Sequence, residues 1–379
     1  MPKPVLVLLI IICFPLLLPA QQSPDAAAWD RIDSLLYRGK NVEDLRTQLL
    51  QWKEQAQKDN DVVTLARCYH TLIRIADGKF ADTLFFRNSL SLDNIIKDQS
   101  TAPLLKSMAH LLKAQRIEKY TATYYYNARR SLIAGYDPAI EYARLNRNQL
   151  DSIVHQHLQA ALQFCNQAPT VKGSHLWWLS SVEDLLWNGA TLRDIIYAEL
   201  IQLRAHAVKK QSDTCANAWL ALPPGQLAAL PALPQYEDVH NQLLALYKEW
   251  MQVHQNNNPD AFYYIESLAR KFFYEKLEAD SFQQQLYENY LQQCLQLSYG
   301  TVKAHAVFQL CIGWYEKGAK YNPGARQSMS WQMTPDIAPI DTSFSRYYAR
   351  ALNLLQAHRS LVDSVPGLSW RLKFLENEI

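Results

Sequence analysis

Residues 150–165, Leu-Asp-Ser-Ile-Val-His-Gln-His-Leu-Gln-Ala-Ala-Leu-Gln-Phe-Cys, decide the fold class. Leu150, Ile153, Val154, His157, Leu158, Ala161, Leu162 and Cys165 recur every three or four positions, which places them on one face of an α-helix. The same period runs through Val62, Leu65, Ala66, Tyr69, Leu72, Ile73 and Ala76, through Ile265, Leu268, Ala269, Phe272 and Phe273, and through Val307, Leu310, Cys311 and Trp314. Each one-sided stripe has to be buried against a neighbouring helix. No convincing run alternates at the two-residue period of a half-buried strand.

Composition agrees with helices. The chain is 49% hydrophobic and 20% charged, so it has material for a core and is not disordered. Its 11 glycines in 379 residues are about 3%, against roughly 7% in average usage. Tight turns of sandwiches and barrels need glycine, as do phosphate-binding loops, so both are excluded.

Local signals divide the helices. Gly39 follows the stripe of Ile32, Leu35 and Leu36, where a C-terminal cap belongs, and Asn41 with Asp44 opens the next helix. Gly78, Gly135, Pro169 and Gly173 are further punctuation. Ser181 with Asp184, and Thr191 with Asp194, have capping-box spacing. Prolines crowd 221–235 (Pro223, Pro224, Pro231, Pro234) and 321–343 (Pro323, Pro335, Pro339). The expected organisation is a helical half over 21–220, a proline-rich joint at 221–235, and a second helical half over 236–379 with a long loop near 321–343. The predicted fold is all-α: an α-solenoid of antiparallel helix pairs, a degenerate tetratricopeptide-like array, with a closed helical bundle as the alternative. The strict signature of the roughly 34-residue tetratricopeptide repeat is not found.

The first twenty residues read separately. Lys3 precedes an apolar run from Val5 to Leu18, and Pro19-Ala20 ends it, the pattern of a secretory signal peptide cleaved after Ala20. An exported chain in the periplasm or cell envelope is expected, without a membrane span after cleavage. Loss of Lys3 lowers the net charge from +2 to +1, which leaves no electrostatic footprint for nucleic acid. Cys68, Cys165, Cys215, Cys294 and Cys311 then remain, widely spaced and without a Cys-x-x-Cys pair. One or two disulfides are open to them in an oxidising compartment. The apolar helix faces of Cys165 and Cys311 favour buried free thiols there.

Chemistry is sparse. His155 and His157 lie about 200° apart around a helix and cannot share an ion, and Glu237 with His240 lacks a third ligand. His157 reads as a core histidine. No nucleophile elbow or peptidase context surrounds any serine or cysteine. The acidic pairs Glu43-Asp44, Glu183-Asp184 and Glu237-Asp238 sit at helix starts, where they complement the dipole. No catalytic residue, cofactor or metal site is predicted, and the chain is not expected to be an enzyme. The candidate binding-surface residues are aromatic: Tyr124, Tyr125 and Tyr126, ahead of Arg129 and Arg130, and Trp177 with Trp178. Filling of interhelical grooves is the structural alternative for them.

Four stretches together resemble a family. Trp29-Asp30-Arg31-Ile32-Asp33-Ser34-Leu35-Leu36 resembles the start of the large exported alpha-2-macroglobulin-like proteins of Bacteroidetes. Tyr124-Tyr125-Tyr126-Asn127-Ala128-Arg129-Arg130 is similar to that family's aromatic-Asn-Arg segment, with Ala128 interposed. The segment 192–200 resembles its Tyr-Asp-Leu-Leu-Ala-His stretch, with Glu199 in place of histidine, and 351–358 and 370–374 resemble its last helices before the macroglobulin β-domains. The resemblance implies a non-enzymatic scaffold or interaction module, the helical front end of a protease-trapping protein. Its partner would be a protein or the remainder of a larger polypeptide. No cysteine precedes Gly-Glu-Gln, so the thioester of some members is not expected here. The alternative function is a stand-alone periplasmic tetratricopeptide- or SusD-like protein that binds glycans or peptides.

Overall fold

The computed structural model of the chain describes residues 24–39, 41–77, 85–123, 145–172, 176–179, 189–206, 208, 216–231, 238–320, 345–365 and 368–378. Among these the fold is all-α, as the periodicity predicts, and the sole extended pairing is an isolated bridge between Lys172 and Thr191. The chain divides into two compact units, 1–169 and 170–379, so the division falls ahead of the proline-rich stretch rather than within it.

Unit 1 contains α1 (Ala26–Tyr37), α2 (Val42–Asp59), α3 (Val62–Asp77), α4 (Leu90–Lys97), α5 (Pro103–Thr123) and α6 (Arg147–Asn166). Gly39 takes the left-handed conformation just after α1, as its position predicts. Asn41 precedes α2 but is itself left-handed and makes no capping hydrogen bond through its side chain. Asn60 and Asp61 alone separate α2 from α3, and the Asp61 carboxylate accepts from the Thr64 N–H at 3.1 Å to cap α3. Trp29, Ile32, Leu45, Leu49, Cys68 and Ile75 form one core among these three helices.

α5 is the helix that periodicity least exposes, because it is buried almost all round. Met108, Leu111, Leu112, Ile117 and Tyr120 are apolar neighbours, yet Lys106, Ser107, His110, Lys113 and Arg116 are buried too. Four of these side chains are paired, beginning with Ser107 Oγ, which donates to the Ala161 carbonyl of α6 at 2.8 Å. Lys113 pairs with Asp93 of α4 at 2.9 Å, and Arg116 grips both carboxylate oxygens of Asp77 of α3 at 2.7 and 3.1 Å. Its guanidinium also lies 4.0 Å from the centre of the Phe85 ring. Thus α3, α4 and α6 are all keyed to α5.

Unit 2 contains α7 (Leu192–Ala205), α8 (Ala216–Leu220), α9 (Asp238–His254), α10 (Pro259–Glu275), α11 (Ser281–Cys294), α12 (Gly300–Lys320), α13 (Ser345–Ala357), α14 (Arg359–Asp363) and α15 (Leu368–Glu378). The Asp194 carboxylate reaches back to the Thr191 N–H at 2.7 Å, the return half of the predicted capping box. Its other oxygen accepts from Trp250 Nε1 at 2.7 Å and from His254 Nε2 at 2.6 Å, which ties the start of α7 to the end of α9.

The Asp260 carboxylate, in the first turn of α10, accepts from the Thr301 N–H and Oγ1 and from the Val302 N–H, and so caps α12. Four residues on, the Tyr264 and His305 rings meet edge to face. Contacts climbing together at an offset of 41 residues mean that α10 and α12 run parallel, with α11 returning between them. At the far end Gly318 permits a close approach: a Cβ there would meet the Tyr348 ring of α13 at 2.8 Å.

Glu266 and Arg270 of α10 are fully buried and paired at 2.8 Å. Glu266 accepts from the backbone N–H groups of Gly225 and Leu227, while Arg270 donates to the Trp219 and Pro223 carbonyls at 2.7 and 3.1 Å. The end of α8 and the described part of the proline-rich stretch, residues 221–231, are therefore fastened onto α10. Gly225 suits this fastening: its φ is +90°, and a Cβ would press on the Tyr263 ring at 3.1 Å.

Glu266→Ala leaves Arg270 buried without its counter-charge and two backbone N–H groups without an acceptor. A loss of about 3–5 kcal/mol is expected in urea denaturation followed by tryptophan fluorescence. A loss below about 1 kcal/mol would show that Arg270 relaxes to water, and that the pair does not hold the loop.

Candidate functional site

The helical period that builds unit 2 also leaves a cleft in it. Lys271, Tyr274 and Glu275 come from the last turns of α10, Gln284, Tyr287, Glu288 and Leu291 from α11, and Gln309, Leu310, Ile312, Gly313, Glu316 and Lys317 from α12. Each set recurs at the helical period, so three helix faces converge on one cleft open to solvent.

Tyrosines form part of the wall: Tyr274 of α10 and Tyr287 of α11 stack with ring centres 4.2 Å apart. Tyr287 is buried, and its hydroxyl has no hydrogen-bond partner. Burial, then the carboxylates of Glu288 and Glu316, push the Tyr274 hydroxyl up to about 12. Two ion pairs cross the rim, Lys317 with Glu288 and Lys271 with Glu275, the latter at 3.7 Å. Gly313 faces open space, since nothing lies within 4 Å of where its Cβ would be.

A smaller apolar recess beside the proline-rich segment is lined by Trp219, Leu227, Leu230, His240, Asn241, Leu244 and Phe273. Its lining carries little polar chemistry.

Elsewhere the titratable groups are engaged in packing. His110 and His157 face each other through their Nδ1 atoms at 2.9 Å, one donating and one accepting, and His110 stacks on Phe164. Burial lowers both to about 4, so both are neutral at neutral pH; nearby Lys106 adds to the effect on His110, and His110 and Lys113 outweigh Asp93 at His157. The core reading of His157 holds, although its partner is 47 residues away and no local motif announces it. In unit 2, Ser267 donates its hydroxyl to the Tyr264 carbonyl at 2.7 Å. His305 Nδ1 must then donate to Ser267 Oγ at 2.9 Å, which leaves Nε2 to accept from the Gln309 amide at 3.3 Å. Burial, with Lys271 and Arg371 nearby, lowers His305 to about 3.

Asp194 shows the opposite balance. Burial opposes its charge, but hydrogen bonds from His254, Trp250 and Thr191 outweigh that and hold its pKa below the usual carboxylate value.

Cys68, Cys165, Cys294 and Cys311 are buried free thiols, as the apolar faces of Cys165 and Cys311 suggest. Burial, the largest cause in each case, pushes Cys68, Cys294 and Cys311 up to about 12, far from reactive thiolates. Among the described residues no group of three His, Cys, Asp or Glu side chains is placed to hold a metal ion. No described helix is long and apolar enough to cross a membrane.

The aromatic surface read from the sequence is only partly visible. Tyr124, Tyr125 and Tyr126 lie outside the described residues. Trp177 and Trp178 belong to a short 3₁₀ turn, Trp177–Leu179, where Trp178 is half-buried and the Trp177 side chain lies outside the described set. Tyr120 is core, packed on Phe86 with ring centres 4.8 Å apart. The cleft between α10 and α12 went unread in the sequence, because its residues span 271–317 and meet only in the fold.

Comparison with protein-family models, with curated proteins and with solved structures returns no match.

The paired histidines carry a pH prediction. Their pKa values, ordinarily 6.5, are near 4 in the folded chain, so the unfolded state binds more protons between these limits. Stability is therefore complete above pH 6.5 and falls as pH drops toward 4. His157→Gln retains a hydrogen-bonding side chain beside His110 but removes one titration. Urea unfolding across this range should then lose up to about 1.4 kcal/mol per pH unit of its slope. An unchanged slope would show that the pair does not titrate on unfolding.

Proposed function

We propose that the chain is a non-enzymatic interaction module, a stack of helix pairs exported to the periplasm or cell envelope, where it docks a protein partner or the remainder of a larger polypeptide. The resemblance to the helical front end of alpha-2-macroglobulin-like proteins points to the same role. Export rests on residues 1–20, which lie outside the described structure.

One observation carries the proposal. The buried polar groups of both units tie elements together, helix to helix in Arg116 with Asp77 and in Asp194 with His254, and loop to helix where the Arg270–Glu266 pair of α10 holds residues 219–227. The cleft of unit 2 instead leaves polar side chains open on three helix faces. The parallel run of α10 and α12, offset by 41 residues, supports a stacked arrangement that offers grooves of this kind.

Crosslinking of the tagged full chain in living cells, followed by mass spectrometry, tests the proposal. A mature N-terminus at Gln21 and one protein partner whose yield saturates with crosslinker are expected. A chain recovered with residues 1–20 intact in the cytoplasm, or recovered alone at every crosslinker dose, would overturn it.

A further inference from the structure

We propose that the cleft between α10, α11 and α12 receives a lysine or arginine side chain presented on an extended segment of the partner protein. The proposal rests on the interaction-module reading and gives its ligand a chemistry.

Charge decides the sign of the ligand. The lining holds three carboxylates, Glu275, Glu288 and Glu316, against two ammonium groups, Lys271 and Lys317. Lys317 is held by Glu288, and Lys271 is in contact with Glu275. The Glu316 carboxylate remains over, exposed at the rim, and Glu275 is itself more than half exposed. An anionic ligand would have to displace a carboxylate from a lysine; a cationic one meets Glu316 and the outer face of Glu275 without disturbing either pair.

Hydrogen-bonding capacity selects the same class. The Gln284 amide donates to the Ala279 carbonyl at 3.3 Å and the Gln309 amide to His305 Nε2 at 3.3 Å, so both present carbonyl oxygens as acceptors. The hydroxyl of Tyr287, in a residue only 6% exposed, has no partner. Ammonium and guanidinium groups are donors only, with three and five N–H groups respectively. The part-buried Tyr274 ring, stacked on Tyr287, supplies aromatic surface beside these acceptors. The flanking Gln284 and Gln309 amides suit the peptide backbone that carries the side chain.

The raised pKa of Tyr274 agrees with this potential. Burial is its main cause, but Glu288 and Glu316 oppose a further negative charge on the phenol.

Gly313 makes the test clean. An added Cβ there meets nothing within 4 Å, so a larger side chain enters the cleft rather than the core. Leucine is also a better helix former than glycine. Calorimetric titration of the full chain would use three capped pentapeptides, Gly-Gly-Arg-Gly-Gly, its lysine counterpart and its glutamate counterpart. Saturable binding of the arginine and lysine peptides, none of the glutamate peptide, and weakening at raised salt are expected. Gly313→Leu should abolish binding while circular dichroism shows an unchanged helical melt. Glu275→Gln with Glu316→Gln should weaken it at least tenfold. Absence of binding to the unaltered chain, equal binding of the glutamate peptide, or undiminished binding in both variants would overturn the proposal. If Gly313→Leu still captures the crosslinked partner in cells, the cleft assignment fails while the interaction module stands. If the unaltered chain captures no partner, the module itself fails, whatever the peptides do.

Discussion

A guanidinium withdrawn from water costs several kcal/mol unless its N–H groups find acceptors and its charge finds a partner. Arg270 is withdrawn completely, and its surroundings follow from that requirement. Glu266, one turn earlier on α10, supplies the counter-charge. The Trp219 and Pro223 carbonyls supply the remaining acceptors, and the Tyr290 ring of α11 lies 4.1 Å from the guanidinium. Glu266 in turn receives two backbone N–H groups from the proline-rich segment. One ion pair thus fixes a loop, α8 and α11 about α10. Because α10 also caps α12 through Asp260, the walls of the cleft inherit their positions from the same helix.

Unit 1 solves the same problem on α5. A helix buried on nearly every side cannot place its polar residues in water, so it needs partners at each turn. Asp77, Asp93, His157 and the Ala161 carbonyl provide them from three different helices. Such contacts are directional. They select one register between neighbours, where a purely apolar stripe tolerates sliding.

These structural uses bear on function. Histidines held neutral by burial, thiols pushed up to about 12 and a carboxylate pinned by three residues are groups fixed in place. The cleft differs in kind: Glu275 and Glu316 are exposed at its rim, and the Gln284 and Gln309 amide oxygens line it.

The helices were legible because each buries one stripe. Leu150 to Cys165 and Val307 to Trp314 read correctly at the helical period, and both stripes are buried. The Thr191–Asp194 cap was legible too, since capping is a contact between residues three apart. α5 was not, because polar residues buried on its second face erase the periodic signal. The Glu266–Arg270 spacing looks like any exposed helical pair, and only the loop packed over it makes it a buried one. By itself, then, the sequence determined that this protein is helical, where many helices begin, and that its cysteines suit apolar faces, all matters of local period and composition. The tertiary structure alone decided which charges are buried, which histidines pair, and that Glu275, Glu288 and Glu316 share one cleft, because each depends on residues brought together from separate helices.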